Sequence, residues 1–381
     1  MTDVIRVNPQ APDAAALTRA ADCLRRGGLV AFPTETVYGL GVHALDRAAV
    51  RRLFEAKGRP ANDPLIVHVD AVERMAELVA ALPHEAVQLA ERFWPGPLTL
   101  VLPRSPLVPD EVTAGLNTVA IRVPAHPVAQ ALLEVAAVPV AAPSANLFSR
   151  PSPTRASHVV DDLDGRIDLV LDGGPTQVGV ESTVLDLSAQ VPTILRPGAV
   201  SLEMLRRVLP RVEVRTPNEP VRGPMPSPGM LERHYSPRAP LTVYDGDSRD
   251  AVERLVRDAC ASIARGQRLG IMVADEDRAA LTDVERLGAS ASIQYLGSER
   301  DLASIASRLY ASMRELDASG VDRMLARSFP GNDGLAVAIR DRLRRAGVRD
   351  GSESGQTGVR EGPETGQRGT RVESDTEPSR D

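Results

Sequence analysis

The chain has 381 residues, which at about 150 per domain implies two to three domains, and 43% are hydrophobic, enough for at least one large core. A net charge of -6, a pI near 5.7 and 3% aromatic residues exclude a chain built as a whole to grip a polyanion or to stack single-stranded bases. Cys23 and Cys260 are 237 positions apart, too few and too distant for a disulfide framework or a zinc knuckle, and no HExxH occurs. There is no signal-peptide core at the N-terminus and no run of ~18 apolar residues, so a soluble cytoplasmic protein with no membrane contact is expected. Of the 45 basic residues, 44 are arginine and one is lysine, Lys57. The chain therefore has no P-loop, and the surroundings of Lys57 match neither a kinase nor a pyridoxal-phosphate lysine.

In chain order, strand-like runs are predicted at 29–32, 65–69, 98–102, 119–123, 138–142, 168–172 and 183–187. Helical patterns fall at 46–57, 71–81, 84–92, 126–136 and 201–208. Residues 1–210 thus read as an α/β domain whose strands are too unevenly spaced for a simple doubly wound order. A linker at 211–240 follows, with seven prolines between 216 and 240 and an apolar-aromatic cluster of Met230, Leu231, His234 and Tyr235. Such a cluster suits a linker that packs on something. Residues 241–349 alternate strand and helix and predict a small parallel-sheet domain. The 350–381 tail, apolar only at Val359 and Val372, is expected to be disordered.

Four places carry candidate chemistry. In KGRP (57–60), Gly58 and Pro60 stop a helix, and Arg59, preceding proline, is expected to be extended. Lys57 and Arg59 would then point the same way and converge on one anion; the alternative is a basic helix C-terminus facing its own dipole. Ser144 and Asn146 form a second pair two apart, after an apolar strand, where either a phosphate or ribose site or ordinary turn chemistry fits. PTETVYGLG (33–41) places Thr34, Glu35 and Thr36 on a loop; its Gly39 and Gly41 imitate a dinucleotide fingerprint but stand too far from the preceding strand. His68 and Arg122 interrupt apolar strands. Pattern alone makes His68 a solvent-facing residue, whereas Arg122 sits beside Pro124 at a strand end, where sites gather.

With WPGPLTLVL (94–102), GVESTV (179–184), LRPG (195–198) and SPGMLERHYSPR (227–238), these ordered motifs over residues ~20–240 resemble the YrdC/YciO-type family of L-threonylcarbamoyladenylate synthases, in its longer two-domain form. The resemblance implies a twisted YrdC-like α/β domain with a central ligand cavity, a proline-rich linker acting as a lid, and a smaller Rossmann-like C-terminal domain. It implies a nucleotidyltransferase that joins L-threonine, bicarbonate and ATP into threonylcarbamoyl-AMP and pyrophosphate. Other proteins pass the product to tRNA, so tRNA is an indirect partner. Lys57, Arg59, Ser144 and Asn146 are the implied catalytic set. Lys57, Arg59, Asp63, Thr118, Asn146, Thr154, Arg196 and Tyr235 are implied for ATP, and Thr36, His68, Arg122, Ser144 and Ser182 for threonine. Mg²⁺ is expected to arrive on the ATP phosphates, without a protein cage.

The family usually continues PSAN with Ser-Gly, but this chain has Phe148-Ser149, which bears on the loop carrying Thr154. A non-enzymatic RNA-binding module is the competing reading, with Arg51, Arg52, Lys57, Arg59 and Arg122 as its basic face. The related carbamoyltransferase of nickel–iron hydrogenase maturation carries cysteine motifs that this chain lacks.

Overall fold

Apolar runs with few charges favour strands buried on both faces, and this chain assembles them into two sheets. A computed structural model describes residues 1–215, 225, 227, 233–332 and 334–351; Met230, Leu231 and the tail from 352 lie outside the described residues. The first sheet contains β1 (Asp3–Arg6), β2 (Val30–Phe32), β3 (Gly39–His43), β4 (Ile66–His68), β5 (Leu98–Pro103) and β6 (Thr118–Arg122). It continues with β7 (Val140–Ala141), β8 (Leu169–Asp172), β9 (Thr183–Asp186), β10 (Thr193–Arg196) and β11 (Glu213–Val214). The spatial order is β1-β8-β2-β3-β7-β4-β6-β5-β9-β10-β11, with parallel and antiparallel neighbours mixed. The seven strands expected from the sequence all appear, and β1, β3, β10 and β11 are additional.

β3 corrects the reading of Gly39 and Gly41 as loop glycines. They lie inside a strand, and a Cβ at Gly41 would strike Phe32 and Val140. The glycines therefore serve strand packing, and the fingerprint likeness has no structural counterpart.

The second sheet holds β12 (Leu241–Tyr244), β13 (Leu269–Val273), β14 (Ala291–Tyr295), β15 (Arg323–Arg327) and β16 (Val348–Arg349). All its paired neighbours run parallel, in the order β14-β13-β15-β12-β16. This is the expected parallel α/β layer, although β15 lies between β12 and β13, unlike the usual dinucleotide-binding order. Among the described residues no helix is long and apolar enough to cross a membrane.

The two sheets share a core. Val37 and Val180, from loops beside the first sheet, are buried with Tyr235 and with Ile305, Ala306, Leu309, Tyr310 and Met313 of the Leu302–Ala318 helix. Buried ion pairs reinforce this seam: Arg314 donates to Asp162 at 2.7 Å, and Arg342 reaches Glu181 at 2.7 Å. Residues Met1–Asp350 consequently form one compact unit.

The closest approach in this seam is at Gly179, whose φ is +76° and where a Cβ would lie 2.4 Å from the Ala306 carbonyl oxygen. An L side chain there meets both a left-handed backbone and the immovable main chain of a helix. Gly179→Ala is expected to cost roughly 3 kcal/mol of stability in urea unfolding. An unchanged midpoint would contradict this contact.

Candidate functional site

The site is built over one face of the first sheet. Ile66 and His68 are two apart on β4 and share a face, as do Ala142 and Ser144 just after β7. Parallel pairing sets His68 directly opposite Arg122 of β6, and an isolated bridge joins Gly39 to Ser144. These residues, with Thr34, Thr36, Arg59, Glu181, Ser182, Arg196, His234 and Tyr235, line a cavity of about 50 Å³.

Lys57 ends the Arg47–Lys57 helix, which Asp46 caps through its side chain and Gly58 stops with φ 61°. That left-handed turn corrects the expectation of an extended Lys57-Gly58-Arg59 segment, because helix geometry persists to Lys57 and then reverses. Lys57 is fully enclosed and does not line the cavity. Its Nζ donates to the backbone carbonyls of Ser144 and Asn146, tying the KGRP turn to the PSAN loop. Burial first, and then the nearby Arg59 charge, push its pKa well below the usual lysine range.

Arg59 lines the cavity. It donates to the carbonyls of Asp63 and Pro64, and its Nη2 lies 2.9 Å from Asp63 Oδ2. Asp63 is completely buried whereas Asn62 is exposed, so the aspartate is the inward-facing member of that pair. Burial raises the Asp63 pKa, and the charges of Arg59, Arg196 and Lys57 oppose the rise. The same three cations act on His234, where burial is the largest influence and the imidazole is pushed down to about 3. Arg59 and Arg196, from separate segments, therefore line the cavity, and the enclosed Lys57 acts on the same two groups.

Arg122, also in the lining, donates to Thr36 Oγ1 at 3.0 Å and to the Gly96 carbonyl at 3.2 Å, with Glu35 Oε1 2.7 Å from Nη2. Three partners fix the guanidinium, whose five N–H groups leave donors for a carboxylate. His68 is buried, against the reading of it as solvent-facing, because β4 is covered on both sides. Burial and then Arg122 push its pKa down to about 3, and its Nδ1 has no hydrogen-bond partner. Ser182 is held between Thr99 at 2.8 Å and Arg196 Nη2 at 3.1 Å.

The remaining expected residues are placed less directly. Asn146 is buried beside Lys57, its amide donating to Leu147 and Arg150 carbonyls and its Oδ1 without a partner. Thr154 is buried with a partnerless hydroxyl but is not part of the lining, and Thr118 stands four residues back along β6 from Arg122, roughly 13 Å away. Ser149 adopts φ 66°, a left-handed turn made by an L residue. Its carbonyl accepts from Ser236 at 2.7 Å, and the Phe148 ring meets His234 edge-on at 5.9 Å, so this loop docks the linker.

Tyr235 covers the cavity. It has φ 63°, its hydroxyl is buried without a partner, and its ring lies 4.1 Å from His234 and 5.5 Å from Tyr310. Sequence reasoning missed Glu181, Tyr310 and Arg342, and placed Glu35 on a loop without giving it a role. Glu35 and Glu181 stood within quoted motifs but carried no pattern signal, and the other two lie far along the chain. The basic RNA-binding face does not form. Arg51 and Arg52 pair with Glu111 and Asp168 at 2.6 and 3.4 Å, while Lys57, Arg59 and Arg122 are buried.

A polar cavity over a mixed sheet, lined by the buried guanidinium groups of Arg59, Arg122 and Arg196, defines an α/β site suited to an anionic small molecule. Both halves of the chain have relatives. Residues 22–198 match the Sua5/YciO/YrdC family, whose model is described as telomere recombination, and residues 200–347 match the family described as threonylcarbamoyl-AMP synthase, C-terminal domain. The threonylcarbamoyl-AMP synthase of Pyrococcus abyssi is 44% identical over 86% of this chain and 92% of its own length. That of Bacillus subtilis is 42% identical over 91% and 95% respectively. The crystal structure of P. abyssi Sua5 complexed with L-threonine superposes with a TM-score of 0.83 at 42% identity, covering 91% of this chain and 97% of that one. This chain belongs to the threonylcarbamoyl-AMP synthase family.

Burial lowers the pKa of four buried imidazoles, His126 among them, and takes His68 and His234 to about 3 and His158 to about 4. The unfolded chain takes up their protons as pH drops through 6.5, and the folded chain does not. Stability conferred above that pH is thus lost on acidification, by up to about 1.4 kcal/mol per pH unit for each ring. Urea midpoints are expected to fall from about pH 7 to pH 5, and His158→Gln to flatten that slope. A pH-independent midpoint would contradict the burial of these rings.

Proposed function

We propose that the chain condenses L-threonine, bicarbonate and ATP into threonylcarbamoyl-AMP and pyrophosphate, for transfer by other proteins to tRNA. The observation that carries this reading is one cavity lined by Arg59 and Arg196, with the enclosed Lys57 acting on the same groups, and also by the fixed Arg122. A triphosphate needs the first group of charges and an amino-acid carboxylate needs the second. The bound L-threonine of the P. abyssi relative supports threonine as a substrate, and we assign Thr36, His68, Arg122, Ser144 and Ser182 to it.

The chemistry has two steps. The threonine amine, as the free base, adds to the carbon of bicarbonate with net loss of one water, or to that of CO₂ derived from it with net loss of one proton, and leaves a carbamate. A carbamate oxygen then attacks the α-phosphorus of ATP, and the bond to the β-phosphate bridging oxygen breaks to release pyrophosphate. Negative charge grows on the phosphate oxygens, so Arg59 and Arg196, already held by acceptors, supply preorganised stabilisation. With its pKa held down by burial, His68 stays neutral and offers a hydrogen bond without adding charge near the threonine amine.

ATP brings Mg²⁺ with it, to offset phosphate charge. Asp63, Glu35 and Glu181 are each engaged with an arginine, and no cluster of three His, Cys, Asp or Glu suited to a metal occurs among the described residues. These residues do not fit a resident metal site, so the ion's ligands are phosphate and water.

A cavity of about 50 Å³ is far below the roughly 300 Å³ at which ligand pockets begin. Substrate entry therefore requires His234 and Tyr235 to withdraw, and their return excludes water from a hydrolysable mixed anhydride. Purified protein is expected to release pyrophosphate from ATP only when threonine and bicarbonate are both present. Salt-sensitive RNA retention without such release would support the binding-module reading instead.

A further inference from the structure

The mechanism above leaves one buried charge on the cavity wall without a task. Glu181 precedes Ser182, and its carboxylate accepts from Ser152 Oγ at 2.5 Å, Tyr310 Oη at 3.1 Å and Arg342 Nε at 2.7 Å. Tyr310 and Arg342 come from the Leu302–Ala318 and Gly334–Ala346 helices, which pack on the second sheet. Arg342 is completely buried, and its Nη2 donates to the Pro197 carbonyl at 3.0 Å. One guanidinium thus grips the residue before Ser182 and the residue after Arg196. Its face also lies 5.5 Å from the Tyr235 ring.

We infer that Arg342, assisted by Tyr310, is a positioning residue for the reaction: it sets Ser182 and Arg196 on the cavity wall and gives the closed Tyr235 its seat. This deepens the functional reading above and rests on it. It also assigns the second sheet a task, as the scaffold that delivers this guanidinium. The physical need is strong, because a buried carboxylate deprived of its cation is destabilised by several kcal/mol and must either move or take a proton. Either change shifts the Glu181–Ser182 and Arg196–Pro197 segments.

The groups facing Glu181 are Arg342 and Asp341 on one helix, Tyr310 on another, His234 and Tyr235 in the linker, Arg196 at the end of β10, and the hydroxyl of Ser152. Burial alone would raise the Glu181 pKa, but Arg342 and then Arg196 hold it near 2. The carboxylate is therefore ionised whenever the enzyme works and does not act as a base. Removing Arg342 takes away the larger of these opposing charges, and the Glu181 pKa climbs.

Threonine- and bicarbonate-dependent pyrophosphate release by Arg342→Met is expected to lose about tenfold or more in kcat/KM, with KM for both ATP and threonine raised. The ratio of variant to wild-type rate is expected to fall further as pH is lowered from about 8 to 6, as Glu181 takes up a proton. Tyr310→Phe, which keeps the ring and removes one donor, should show the same trend more weakly, and Arg342→Lys should recover part of the loss. The double variant Glu181→Gln/Arg342→Met removes both charges, so its melting temperature should return toward wild type while the kinetic defect persists. Should Arg342→Met fail to fold, Tyr310→Phe and the double variant carry the test. Wild-type kinetics in Arg342→Met, or in Tyr310→Phe if the first does not fold, would overturn the inference, and so would full kinetic recovery in the double variant. Failure of the unaltered protein to release pyrophosphate would instead overturn the functional reading.

Discussion

Lys57 is enclosed on all sides, and an enclosed ammonium must either find acceptors or give up its proton. It finds two backbone carbonyls, those of Ser144 and Asn146, which are 87 and 89 residues away in the chain. The same constraint operates around the cavity. Arg59 is satisfied by Asp63 and Pro64, Arg122 by Thr36, Glu35 and Gly96, and Arg196 binds the backbone and hydroxyl of Ser182. Lys57, Arg122 and Arg196 tie their segments to distant ones, and Arg59 braces its own turn. The polar side chains are held in place before substrate arrives because the buried charges that hold them have nowhere else to go.

This arrangement explains why the active-site motifs are spread over so much of the chain. A sheet brings distant strands side by side, and the register His68 opposite Arg122 creates one such meeting. Hydrogen bonding from buried cations then fixes the loops that the sheet leaves free. The second sheet takes part through the core shared by Val37, Val180, Tyr235 and Tyr310, and through Arg342. Closure of the linker, cavity wall and second sheet are consequently parts of one packed junction.

Much of the fold was legible in the sequence. The strand–helix alternation from 241 to 349 reads correctly because a parallel sheet with helical crossovers imposes long, regular apolar periods. β3 was not legible, since Gly39 and Gly41 are poor strand formers, and Gly41 owes its place to crowding by Phe32 and Val140. The helix Ala14–Arg25 also escaped notice, its alanine-rich buried stripe being weakly apolar despite the Asp13 cap. At the site, the motifs named the right neighbourhoods but not the directions of the side chains. Gly58 turns the chain through a left-handed step, and no spacing rule reveals that Lys57 then faces a backbone loop. The Glu181–Arg342 pair spans 161 residues, beyond any local pattern.

The lysine count that opened the sequence reading gains a physical basis from this geometry. An arginine at an exposed position can reach solvent, but the Lys57 chamber offers two carbonyls to a compact head with no solvent outlet. A planar guanidinium there has more donors than acceptors to meet and must displace the PSAN loop. The most direct test is the rate of threonine- and bicarbonate-dependent pyrophosphate release by Lys57→Arg. The account requires a loss of at least about tenfold, equivalent to ~1.4 kcal/mol in the transition state. A rate equal to that of the unaltered protein would contradict it.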